Sequence, residues 1–127
     1  MTIVRRVGDD TAEVAEYVRR IHEAELLEHI GIDPSGVGQI LDSLAEAGIP
    51  DGIVVGISQG WKLGGAIKTT ERKLAEGVLV HGGQPLMAWC VGNARVEPKG
   101  NAILITKQAS GRGKIDPLMA LFNAVSL

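Results

Sequence analysis

The 127-residue chain is 45% apolar but only 3% aromatic, and it carries a formal net charge of −2 with a pI near 5.9. That size fits one ordinary domain whose core rests on Val, Ile, Leu and Ala. The acidic balance excludes a wholesale nucleic-acid coat but not a local basic patch, and the single cysteine, Cys90, excludes a disulfide framework and a cysteine-based zinc site. No apolar stretch approaches the ~20 residues needed to span a bilayer. The N-terminus carries no signal-peptide core, so the cytoplasm is the default compartment and no membrane partner is expected.

Asp9-Asp10-Thr11 offers helix-capping residues, and Val14, Tyr17, Val18 and Ile21 follow at helical spacing, which predicts a helix over about 10–27. His29 to Ile32 reads as a short strand ending at Asp33. Gly36 to Gly48 reads as a second helix, with Val37, Ile40, Leu41 and Leu44 on one face and Gly48 as its stop. After the turn Pro50-Asp51-Gly52, the continuous apolar run Ile53 to Ile57 predicts a strand buried on both faces. Leu63, Ile67, Thr70 and Leu74 mark a third helix closed by Gly77, and Val78-Leu79-Val80 reads as another short strand. Gln84 to Val91 is predicted helical, with Cys90 as a buried, inert thiol. Pro98-Lys99-Gly100-Asn101 predicts a hairpin turn before the strand Ala102 to Lys107. A last helix starts at Pro117, with Leu118, Leu121, Phe122 and Val125 on its face. Alternating strands and helices imply an α/β domain with some parallel pairing. The sheet is small and mixed, thin for so many helices.

Two aspartates stand where a strand should hand over to a helix: Asp33 in Ile30-Gly31-Ile32-Asp33-Pro34, and Asp116 in Lys114-Ile115-Asp116-Pro117. Functional groups of α/β domains gather at strand carboxyl ends and nearby helix N-termini. A carboxylate pair there suits hard divalent cations and metal-assisted phosphodiester chemistry. The plainer reading makes each Asp a helix N-cap followed by Pro at the first helical position, and spacing alone favours it. Arg95, Lys99, Lys107, Arg112 and Lys114 are interrupted only by Glu97 and flank Asp116, a pattern able to meet a phosphate backbone or simply to form a solvated hairpin. Gly111-Arg112-Gly113-Lys114 fails as a phosphate loop, because Gln108 holds the first glycine position and Ile115 replaces Ser or Thr. Gly36-Val37-Gly38 fails as a dinucleotide fingerprint, because Leu41 stands at the third glycine position. His81 reads as a loop histidine bonded to backbone, Trp61 and Trp89 as core residues, and Gln59 as either a cleft residue or a loop closer.

From about Glu28 to the end, the order of these pieces resembles the nuclease domain of tailed-phage large terminase subunits. The run is Ile30-Gly31-Ile32-Asp33, an amphipathic helix, and a strand leading to Gln59-Gly60-Trp61. Glu71, Gly77, His81, Gly82, Pro85, Trp89 and Asn93 follow, and Lys114-Ile115-Asp116 closes it. The resemblance implies an RNase H-like α/β fold and cleavage of double-stranded DNA during genome packaging. It implies two divalent ions, Mg²⁺ or Mn²⁺, held by acidic side chains, with Asp33 and Asp116 matching two of the acids. DNA contacts would fall to Lys99, Lys107, Arg112 and Lys114, and other terminase or portal components would be partners in a bacterial host.

The sequence departs from the family in one respect: the family's first catalytic aspartate lies on a strand well upstream of the segment matching Asp33, and here a single helix precedes it. Met1 to Val7 is too short to supply the missing strands, and the expectation is a chain without the family's ATPase domain. The expectation is therefore one domain over 1–127, composed of an N-terminal helix over about 10–27 and a nuclease-like segment over about 28–127. It would lack the family's first strands and be weak or inactive alone. The rival expectation is a non-catalytic prophage remnant acting as an oligomerisation or DNA-binding module, a homo-oligomer joined through an open sheet edge. An unrelated small-molecule enzyme is a third reading with no motif to support it.

Overall fold

The structure, a computed structural model, describes residues 10–107 and 113–127. They sort into two units, one ending at Gly56 and one over Ile57–Leu127. Both are mixed α/β, with small sheets flanked by helices.

In the first unit, helix α1 (Thr11–Glu23) and helix α2 (Gly38–Glu46) lie against a parallel pair of strands, β1 (Ile30–Ile32) and β2 (Val54–Gly56). The register is Ile30↔Val54, Gly31↔Val55 and Ile32↔Gly56. Ala15, Leu44 and Ile49 form the buried centre, with Val18, Ile30, Ile40, Ile53 and Val54 packed around it. The apolar faces read in the sequence are realised in part: Val18 of α1 and Ile40 and Leu44 of α2 pack here, while Val14, Tyr17, Ile21 and Leu41 stay exposed and β2 is half-buried rather than covered on both faces. A hydroxyl contact of 3.0 Å between Thr11 and Ser43 ties the start of α1 to α2. A short 3-10 turn, Asp51–Ile53, takes the first residue of the predicted second strand.

Helix α1 stops at Glu23, four residues before the sequence reading places its end. The cause is local. Glu25 adopts φ +59°, its N–H donates to the His22 carbonyl, and Leu26 N–H donates to the Ile21 carbonyl. That is a Schellman closure with Glu where glycine usually sits. Helix α2 closes in the same manner with the expected residue, Gly48 at φ +82°, and Ile49 N–H returns to the Leu44 carbonyl.

The second unit begins with buried Ile57 and a 3-10 turn, Gly60–Leu63, that feeds helix α3 (Gly64–Ala75). Helix α4 (Pro85–Asn93) runs directly into the antiparallel hairpin β3 (Ala94–Lys99) and β4 (Ala102–Lys107), and helix α5 (Asp116–Ser126) follows. Helix α5 packs against α3 and α4, and Leu63, Ile67, Cys90, Leu118 and Phe122 are buried. The chain at the start of α3 runs close to β4: a Cβ on Gly64 would stand 3.3 Å from the Ile103 carbonyl oxygen.

Two sequence expectations are corrected here. Val78-Leu79-Val80 is not a strand. The N–H groups of Val78 and Leu79 both donate to the Lys73 carbonyl, closing the end of α3, and Val80 is 86% exposed. Trp61 and Trp89 are not core residues; each is about half exposed. Leu63 and Cys90, beside them in sequence, take the buried places instead.

Candidate functional site

Asp33 follows the last residue of β1 and is exposed. Its Oδ1 accepts the Ser35 N–H at 3.0 Å, an Asx turn that bends the chain out of the strand. It does not cap α2, which begins at Gly38 with Val37 in the capping position and no side-chain capping bond. Asp116 is not a cap either. Ile115 holds that position, and Asp116 is the first residue of α5, with Pro117 behind it. There a carboxylate is favoured by the positive end of the helix dipole. The capping reading of both aspartates is thus overturned: one follows a strand, the other opens a helix, and both are exposed at the surface.

The approach to Asp116 is fixed by Asn93, the last residue of α4. Its Nδ2 donates to the Lys114 carbonyl at 3.1 Å, and a Cβ on Gly113 would meet the Asn93 Cγ at 2.6 Å. Only glycine fits at 113 while Asn93 holds the next turn of chain. Gln59 is a loop closer: its Nε2 donates to the Ile57 carbonyl at 2.8 Å and to Asn123 Oδ1 at 2.9 Å. Asn123 is buried on α5 and carries no sequence signal, because a single amide among Leu118, Phe122 and Val125 breaks no pattern. His81 is exposed and accepts the Gly83 N–H on Nδ1 at 3.0 Å, as a backbone-bonded loop residue would.

The candidate phosphate-binding cations do not form one stripe. Hairpin register pairs Lys99 with Ala102 beside the turn and Lys107 with Ala94 at the open end. Side chains alternate along a strand, so Arg95 and Lys99 share one face and Lys107 lies on the other. Glu97, between Arg95 and Lys99, accepts the Thr106 hydroxyl at 3.1 Å. Lys99, Lys107 and Lys114 are exposed; Arg112 lies outside the described residues. Charge is unevenly divided along the chain. Residues 57–127 hold nine Lys and Arg against four Asp and Glu, whereas residues 1–56 hold four against eleven.

Carboxylate oxygens suit hard divalent ions. Among the described residues, however, no group of three or more His, Cys, Asp or Glu gathers to hold one. Asp33 and Asp116 supply the right donor chemistry, but the described residues do not complete a two-metal centre. Among them, no helix is long and apolar enough to cross a membrane.

The fold is one already seen in a large terminase. The crystal structure of the HK97 bacteriophage large terminase superposes with a TM-score of 0.75 at 24% identity, covering 91% of this chain and 24% of that chain. No curated protein matches the chain. The family model described as terminase large subunit, endonuclease domain, matches residues 8–127, α1 included. The chain belongs to the terminase large-subunit endonuclease-domain family, and its fold is the RNase H-like α/β fold of that domain.

Proposed function

We propose that this chain serves the nuclease function of a large terminase, cleaving double-stranded DNA with divalent metal ions during genome packaging. The family match over residues 8–127 carries this reading. Asp33 and Asp116 each supply a carboxylate to binding of Mg²⁺ or Mn²⁺. Lys99, Lys107, Arg112 and Lys114 meet the phosphate backbone, and the excess of positive charge over residues 57–127 supports that role. Other terminase or portal components are its partners, and the cytoplasm of a bacterial host is its compartment.

The absence of a three-ligand cluster among the described residues favours a second reading. In it the chain binds DNA or self-associates through the open edge of its two-stranded parallel sheet, without cutting. Plasmid cleavage with Mn²⁺ separates the two. The nuclease reading expects nicking by wild type that disappears in Asp33→Asn and in Asp116→Asn. Cleavage that survives both substitutions would remove these residues from the chemistry. A folded protein that cuts nothing would leave the second reading, and light scattering would then show a dimer or larger assembly rather than a monomer.

A further inference from the structure

Trp61 is 52% exposed, although an indole of that size normally gains more by burial than any other side chain. It sits in the 3-10 turn Gly60–Leu63, which packs against β4. Trp61, Lys99, Asn101 and Ala102 line one shallow depression beside the hairpin turn. Lys62 Nζ stands 5.8 Å from the Trp61 ring centroid. Two ammonium groups and an amide therefore surround an exposed aromatic face, no acid among the described residues lines the depression, and the unit that carries it is basic. The close approach of Gly64 to Ile103 fixes the turn against the hairpin, so the indole and Lys99 are held together by backbone packing.

A planar, anionic partner fits this surface, and a nucleotide is both. The interior of a duplex offers no base face to an indole; an unpaired or terminal base does. We propose that Trp61, Lys62, Lys99 and Asn101 form a stacking site for an unpaired nucleotide, such as one at a frayed or newly cut DNA end. The base lies on the Trp61 ring face opposite Lys62, whose ammonium sits over the ring; Lys62 and Lys99 take the flanking phosphates, and the Asn101 amide meets the base edge. The inference rests on the DNA-handling reading above.

The test uses Trp89→Phe, which leaves Trp61 as the sole tryptophan of the two in the chain. A twelve-nucleotide oligothymidylate added at low salt quenches Trp61 emission if the site exists. Trp61→Ala then weakens binding of the labelled oligonucleotide by about tenfold or more, while Trp61→Phe keeps most of it. Lys99→Ala, at an exposed hairpin tip, weakens binding and lowers the salt slope by about 0.7; it serves if Trp61→Ala melts early. Oligonucleotide binding with unchanged Trp61 emission overturns the site, and so does equal quenching by polyglutamate. Binding of blunt duplex alone, with unchanged emission, overturns the stacking site but leaves DNA binding intact. Failure of both DNAs to bind removes both readings.

Discussion

Asn93 and Gly113 set the chain that delivers Asp116, and their contact is tight enough to be tested by substitution. Gly113→Ala places a methyl 2.6 Å from the Asn93 Cγ, an overpacking expected to cost about 1–3 kcal/mol. Asn93→Ala loses the bond to the Lys114 carbonyl but also removes the Cγ and Oδ1 nearest that methyl, leaving only the Cβ at 2.9 Å. The double variant should therefore be more stable than the sum of the two single losses predicts, and urea unfolding of all four proteins measures the coupling. On α1, Arg19 bonds to Glu16 and to Glu23. The Arg19 hydrogen bond holds the Glu16 carboxyl below its usual value of 4.5. A depressed carboxyl stabilises the fold above its unfolded value, and that contribution disappears as pH falls through the folded one. Thermal melts between pH 6 and pH 3 should lose less in Arg19→Ala than in wild type, by a small margin because the pair is exposed.

Helix ends explain most of what the sequence revealed about the elements and most of what it hid. Gly48 and Gly77 were readable as stops because glycine favours the left-handed backbone they adopt. Glu25 takes the same conformation with no residue-type signal, which is why α1 reads four residues too long. Substitution should separate the two cases. Gly48→Ala should cost about 1–2 kcal/mol in urea unfolding, the penalty of a Cβ in that region. Glu25→Gly should cost nothing, because relief of that penalty offsets the entropy of a new glycine. The false strand at Val78 to Val80 has a related origin: apolar composition indicates a strand only if its amides are free to pair, and two of these close α3. The hairpin is legible in part: the turn and the strand Ala102–Lys107 can be read from the sequence, but Pro98 and Lys99 belong to β3 rather than to the turn, and the strand Ala94–Lys99 carries no clear signal of its own. Asp33 and Asp116 were found at strand exit and helix start, yet the capping reading failed. Proline after aspartate does not distinguish the capping position from the first helical one, and an Asx turn uses the same residues as a cap.

At the scale of the whole chain, the net charge of −2 conceals a strongly acidic first part and a basic second part. The charge total read from composition gave no hint of this division, because opposite excesses cancel in a sum. The division predicts that duplex binding is carried by residues 57–127 and weakens steeply with salt. Removing Lys99, Lys107 or Lys114 should each lower the slope of log K against log salt by about 0.9 if that lysine contacts phosphate. The trio together should leave fold stability nearly unchanged, since all three are exposed. Family membership places the chain among terminase large-subunit endonuclease domains, while among the described residues no three His, Cys, Asp or Glu gather to hold a metal ion. Metal binding tests that account most directly, since it does not depend on turnover. Titration with Mn²⁺ followed by electron paramagnetic resonance, on wild type, Asp33→Asn and Asp116→Asn, should show binding by wild type and clear weakening in each variant. Both variants binding Mn²⁺ as tightly as wild type would contradict it.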